Sequence, residues 1–348
     1  MKRLGIKILL GAALSVYSAA AFSINFSMRE YNLNINPKLY TFKPDLSVSL
    51  QVGTTGIGVG LESRLNEWFR VRTGFDWTPH FEYPMQFTIQ VGKKGKQTEE
   101  SLSRFNRMAG YLEDMTGFKI DQHVDMIGEP NFYNFRLLVD VFPFNNKKWY
   151  FTAGFHAGPS VIGRAHNRTE DMTTLMCVAM YNNIYDKVYD IEYNENSQLD
   201  GVFLGMELPP EINQRILDAG PMGMYVGDFN DRTDQEGNPE AFIMKPNDEN
   251  MVKAEMKVNS FRPYIGAGYS GLIDKRNDRL KFSANFGIMF WGGTPKVYTH
   301  EDIYTHESTE IVSGLDNIIG QVGKYTDIVR RFNVFPILNI SISYTLFK

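Results

Sequence analysis

The sequence predicts an all-β fold: a transmembrane antiparallel up-and-down β-barrel of about eight strands, with long, partly helical extracellular loops. Three observations carry that prediction. First, the last segment alternates Val334, Pro336, Leu338, Ile340, Ile342, Tyr344 and Leu346 with Phe335, Ile337, Asn339, Ser341, Ser343, Thr345 and Phe347. That is a period-2 ribbon with one apolar face and one that turns small and polar toward the C-terminus. Second, Lys2, Arg3 and Lys7 surround an apolar run over 8–16, followed by Ala19-Ala20-Ala21. A basic region, an apolar region and an Ala-x-Ala site predict a signal peptide over 1–21. Third, mean hydropathy is −0.29, and no later stretch holds the roughly 18 consecutive apolar residues of a membrane helix. A barrel escapes hydropathy because every second residue faces inward.

Seven further segments repeat the pattern of the last one. Leu46, Val48, Leu50 and Val52 alternate with Ser47, Ser49 and Gln51; Ile57, Val59 and Leu61 alternate with glycines, Glu62 and Arg64. Residues 46–64 read as a hairpin, with one kinked strand as the alternative. Phe69, Val71, Phe75 and Trp77 alternate with Arg70, Arg72, Gly74 and Asp76. Tyr133, Phe135, Leu137, Val139 and Val141 alternate with Asn134, Arg136 and Asp140. Phe151, Ala153, Phe155 and Ala157 alternate with Thr152, Gly154, His156 and Gly158. Phe261, Pro263, Ile265, Ala267 and Tyr269 alternate with Arg262, Gly266 and Gly268. Leu280, Phe282, Ala284, Phe286, Ile288 and Phe290 alternate with Lys281, Ser283, Asn285 and Gly287. The total is even, as in bacterial barrels. Connections at 65–67, 145–148 and 272–277 are short, whereas 93–130, 164–257 and 293–331 are long. The alternation of short and long sets the short turns on the periplasmic side. The domain reading is therefore a signal peptide over 1–21, a lead-in over 22–44 and a barrel over 45–348.

The four tryptophans form an expected aromatic girdle. Trp68 and Trp149 follow short turns, whereas Trp77 and Trp291 lie near the far strand ends. The strand between Trp68 and Trp77 is about 30 Å long at ~3.3 Å per residue. Tilted by ~45°, it spans roughly 21 Å, close to the ~25 Å apolar band of outer-membrane barrels.

Several stretches carry a family likeness: Gly56-Ile57-Gly58-Val59-Gly60, Val141-Phe142-Pro143-Phe144 and the run from Arg262 to Tyr269. With the strands over roughly 46–92, 131–163 and 258–348, the chain resembles small Gram-negative outer-membrane β-barrel proteins of the OmpA/OmpW-like superfold. The resemblance implies an outer-membrane location and, as partners, outer-membrane lipids and the barrel-assembly machinery. Members usually end on an aromatic residue in the outward phase; here Leu346 holds that phase and Phe347-Lys348 overhang it.

The inward phase collects Glu62, Arg70, Arg72, Asp76, Arg136, Asp140, His156, Arg262 and Lys281. Nine strand glycines share it. Eight strands enclose a lumen just wide enough for side chains to fill, and glycines make room for arginines that reach across. Each arginine is expected to meet an acid, because unpaired charge in a tight interior is costly. Such a network either plugs the barrel or lines a narrow path for ions or small solutes.

Between 169 and 255 the chain carries eighteen acidic residues against five basic ones, a net of −13. The segment is too rich in Met, Tyr and Phe for disorder, so a folded cap is expected. Helices are expected over 101–115, after Pro210 and over 308–330, the last with an apolar face of Ile311, Leu315, Ile318, Ile319 and Val322. The acidic run from Asp228 to Gly237 lacks the position-twelve Glu of a calcium loop and reads as solvated charge. An acidic chain excludes nucleic acid as a partner, and Cys177 is the one cysteine, so no internal disulfide forms. No nucleophile elbow, zinc-protease helix or phosphate loop is present, and no cofactor or metal is expected. The functional expectation is a porin-like envelope protein of structural or surface-interaction type, serving envelope integrity, adhesion or ligand capture by the loops. The alternatives are a narrow channel and, as a minor one, an outer-membrane lipid-modifying enzyme.

Overall fold

A computed structural model of the chain describes residues 44–92, 99–193, 202–203, 206–207, 210–233, 237–247, 249–301 and 308–347. The expected signal peptide, the lead-in up to residue 43, and residues 234–236 of the acidic run lie outside them.

The chain runs through β1 (Leu46–Gly53), β2 (Gly56–Arg64), β3 (Phe69–Trp77), β4 (Tyr83–Thr88), β5 (Gln90–Val91) and helix α1 (Glu99–Thr116). It continues with β6 (His123–Pro130), β7 (Tyr133–Val141), β8 (Trp149–Ala157), β9 (Val161–Asn167) and α2 (Met172–Tyr193). Two short strands, β10 (Val202–Phe203) and β11 (Met206–Glu207), precede α3 (Pro210–Ala219), β12 (Met222–Thr233), β13 (Pro239–Met244) and β14 (Lys253–Lys257). Then come β15 (Phe261–Asp274), β16 (Asn277–Phe290), β17 (Lys296–Glu301), β18 (Ser308–Glu310), α4 (Ile311–Gly314), β19 (Leu315–Asp316), α5 (Gly320–Arg331) and β20 (Val334–Phe347).

Eight strands close a barrel in the order β1-β2-β3-β7-β8-β15-β16-β20. The seam between β20 and β1 is antiparallel, with Ile342 facing Leu50 and Ser341 facing Gln51. Residues 46–64 form the hairpin. Its turn depends on Gly56, whose φ of +90° favours glycine and whose missing Cβ lets the backbone of Trp77 pass close by. Along the barrel strands the outward phase is mostly apolar, with Leu50, Phe286 and Leu338 exposed at 62%, 54% and 61%. An apolar belt of this extent around a closed ladder suits hydrocarbon, where a sheet without edges leaves no backbone group unpaired.

At one end the strands are joined by short turns. The third is tighter than expected: the ladder continues to the pair Asp274–Asn277, leaving only Lys275-Arg276 between β15 and β16. At the other end stand the Thr54-Thr55 turn and three long connections. The first of these starts directly after Trp77, so Tyr83–Thr88 belongs to the cap and not to the wall. Pro79 and Pro84, which cannot donate to a ladder, punctuate that exit.

Above the barrel a six-stranded sheet, β18-β17-β14-β9-β6-β4, carries the wall onward. A second sheet, β13-β12-β19 with β5 on β12, is wrapped by α1, α2 and α3. Their shared core includes Phe105, Val124, Met126, Leu175, Tyr181, Met222 and Leu315. Asn182 ties α2 to this sheet: its amide donates to the Met222 carbonyl at 2.7 Å and accepts from the Met222 N–H at 2.8 Å. Tyr181 donates to the Gly220 carbonyl at 2.9 Å, and burial pushes its phenol well above the usual range. The helix expected over 308–330 is divided. Glu310 caps α4 by accepting from Val312 and Ser313, and positive φ at Asn317 and Gly320 then breaks the run before α5. Ile311 and Leu315 still reach the cap core, from separate elements.

The facing of the wall can be tested by arginine substitution. Phe286→Arg and Ile340→Arg should each destabilise insertion by about 2–4 kcal/mol near the membrane midplane. Phe286→Leu and Ile340→Leu should be near neutral. Urea titration of the vesicle-inserted protein checks both.

Candidate functional site: the barrel lumen

The side chains of the lumen lie in rungs set by the ladder. Arg70 is opposite Asp140, and Asp140 is opposite Thr152. Further along, Gly74, Arg136, His156 and Arg262 share one rung. Period 2 therefore stacks charge above charge on the enclosed face.

Near the short-turn end, Asp140 is the hub. Its Oδ2 accepts from Arg70 Nε at 2.7 Å, and its Oδ1 accepts from Arg72 Nη2 at 2.8 Å and Thr152 Oγ1 at 2.7 Å. Arg70 also reaches Glu62 at 3.3 Å. The two guanidiniums lie over Tyr150, 4.6 and 5.6 Å from its ring centre. Tyr150 in turn donates to Asn285 Oδ1 at 2.6 Å. Phe142, from the short turn after β7, folds up beneath and packs on Tyr150 with centroids 5.1 Å apart.

One level on, Arg136 is paired with Asp76, which also accepts from Gln51 at 2.8 Å. His156 Nδ1 is 3.9 Å from Asp76 Oδ2, and its ring meets Tyr264 edge-on. Glycines make both centres possible. A Cβ at Gly58, Gly60 or Gly74 would stand 2.8, 2.8 or 2.9 Å from the Arg136 guanidinium. On the opposite wall, a Cβ at Gly266 or Gly287 would stand 2.7 Å from the Tyr264 ring, and Gly268 likewise clears Tyr150.

Two expected partners differ. Arg262, 0% exposed, meets no acid among the described residues. It donates to Asn134 Oδ1 and to the carbonyls of Pro159 and Asn259, and lies over Phe132. At its level the chain turns inward and offers backbone oxygens, so acceptors replace an acid. Lys281 sits at the rim, 3.3 Å from Asp45, and not in the interior network.

The girdle is also revised. Trp77 and Trp149 face outward and are exposed. Trp68 lies half-buried at the short-turn rim with Lys147 Nζ 3.1 Å above its ring. Trp291 is buried at 9% exposure and stacks on Phe335, centroids 5.3 Å apart. The reason is parity: Phe290 holds the outward phase, so the next residue points in. Trp291 joins Phe132, Met289 and Ile337 in an apolar stopper across the cap end of the lumen. Sequence reasoning missed this stopper, although Phe335 and Ile337 stand as apolar residues in the inward phase. It also missed Tyr150 and Tyr264, whose parity alone would have found them.

Within the lumen, Gln51, Arg72, Arg136, Leu138, His156, Tyr264, Asn285, Ile337 and Asn339 line a cavity of about 10 Å³. That is room for roughly one water molecule.

No protein-family model and no curated protein matches the chain. Among solved structures, CarO2 of Acinetobacter baumannii is similar at 13% identity and a TM-score of 0.34, over 86% of this chain and 98% of that one. CarO of the same organism matches at 12% and 0.34, over 87% and 98%. A major outer membrane protein from Thermus thermophilus matches at 9% and 0.28, over 87% and 99%. The barrel assignment rests on the closed ladder of this chain and not on these loose superpositions.

The Arg136–Asp76 pair should behave as one unit. Asp76→Asn or Arg136→Met alone should destabilise by about 3–5 kcal/mol, because each strands a buried charge, while the double variant recovers a large part of that loss. A double-mutant cycle on urea midpoints checks it, and simple additivity would contradict the pairing.

Proposed function

We propose that this is an outer-membrane barrel of structural or surface-interaction type, in which a sealed wall holds a folded cap outside the cell. The observation that carries this reading is the filled lumen. Charge pairs occupy its middle, Phe142 lies at one end and the apolar stopper at the other, and the cavity beside Arg136 and His156 measures about 10 Å³. A hydrated ion path needs far more continuous space than one water molecule. The apolar belt and the signal-peptide pattern over 1–21 support the location. The cap supports the interaction role: it has its own core, and it exposes Tyr111 on α1 and Phe118 just beyond that helix. Loops on a rigid scaffold are where binding function concentrates. The reading includes no catalysis.

Purified protein in a planar bilayer should give no conductance steps, and membrane fractionation should recover it with the outer membrane in a heat-modifiable form. Opening the stopper and the Arg136 centre together, with Trp291→Ala and Arg136→Ala, should create conductance where the native protein has none. Steady steps from the native protein would overturn the sealed-scaffold reading in favour of the channel.

A further inference from the structure

Where the wall leaves the barrel, three metal-ligating side chains converge from two segments. His80 and Glu82 lie on the exit between Trp77 and β4; Glu129 lies near the end of β6. One ligand atom from each falls within 4.8 Å of the others, and His80 Nε2 stands 3.8 Å from Glu129 Oε1. We propose that His80, Glu82 and Glu129 bind one divalent transition-metal cation, with Zn²⁺ the ion that best suits the donors.

The backbone holds the donors in place. His80 and Glu82, two residues apart, each bring a ligand atom into the same cluster. The β4–β6 ladder pairs Tyr83 with Gly128, which brings the residues before and after that pair, Glu82 and Glu129, alongside each other. Pro130 follows Glu129, and proline restricts the residue before it. On β6 the buried phase is Val124 and Met126, so Glu129 belongs to the opposite face, on the outside of the sheet.

Charge points the same way. Two carboxylates this close repel unless a cation lies between them. Among the described residues no lysine or arginine pairs with Glu82 or Glu129. Arg164 is opposite Glu129 in the ladder but donates instead to Glu255 at 3.3 Å. An imidazole with two carboxylates is a donor set for zinc and its neighbours more than for calcium or magnesium, which prefer oxygen alone. Ligand atoms at ~2.0–2.2 Å from a tetrahedral ion are about 3.3–3.6 Å apart. Small rotamer changes of exposed side chains close the present distances to that range. Three protein donors leave a fourth position open to water.

The site does not depend on the sealed-scaffold reading. The test uses the full chain, folded in detergent, without a histidine tag and freed of metal. Calorimetric titration with Zn²⁺ should show a site that His80→Ala and Glu129→Gln each weaken at least about tenfold. Millimolar Mg²⁺ should not displace the zinc. Zn²⁺ should also slow the reaction of His80 with diethyl pyrocarbonate, read by mass spectrometry, more than that of exposed His123. This second measurement needs no variant and decides the matter if a substitution impairs folding. Identical isotherms for native and His80→Ala protein, unchanged His80 reactivity, or displacement by Mg²⁺ would each overturn the proposal.

Discussion

A charge enclosed by an eight-stranded wall must find its partner inside that wall, and this constraint organises the molecule. Four arginines, Arg70, Arg72, Arg136 and Arg262, stand in a lumen with three acids, Glu62, Asp76 and Asp140. Asp140 serves two arginines at once and Asp76 serves Arg136. The fourth arginine is satisfied by an amide and two carbonyls. Breaking one such link leaves a charge with neither water nor counter-ion, which costs more than the pair contributes when intact.

The network determines where the wall can carry side chains. The β2–β3 side is bare at Gly58, Gly60 and Gly74 because the Arg136 guanidinium lies against it. The β15–β16 side is bare at Gly266, Gly268 and Gly287 because the rings of Tyr150 and Tyr264 lie there. Glycine weakens a strand, so these positions trade local strand preference for cross-lumen packing. The Tyr150 ring in turn lies under guanidiniums, and cation–π contact adds to the ion pairs.

The same logic of covering surfaces extends to the cap. Strands that continue past the apolar belt would expose their inner face if nothing filled it. The helices α1, α2 and α3 and the β12 sheet fill it with one apolar cluster. Beside β4 stands α5, where Tyr325 meets Tyr83 edge-on at 5.9 Å. Charge is left on the outside of this sheet, where His80, Glu82, Glu129 and Arg164 gather just above the level of Trp77 and Tyr133.

Much of the barrel was legible in the sequence because period 2 is a local property. Facing, strand number and the enclosed charges follow from alternation alone, and the ladder brings Arg70 to Asp140 as neighbours. Parity also dictates that Trp291 turns inward, although its place near a strand end reads as girdle. Other features depended on residues distant in the chain. Arg262 takes an amide oxygen from Asn134 and a carbonyl from Pro159, which no spacing reveals. The segment over 308–330 has helical periodicity, yet its apolar residues are claimed by β12 and the cap core, and left-handed residues divide it. By itself the sequence determined that the chain closes a barrel with charge inside, because each strand carries its own two faces. Only the tertiary structure decided how the lumen is filled, since a stopper, a floor and a hub arise where side chains from opposite walls compete for the same few ångströms.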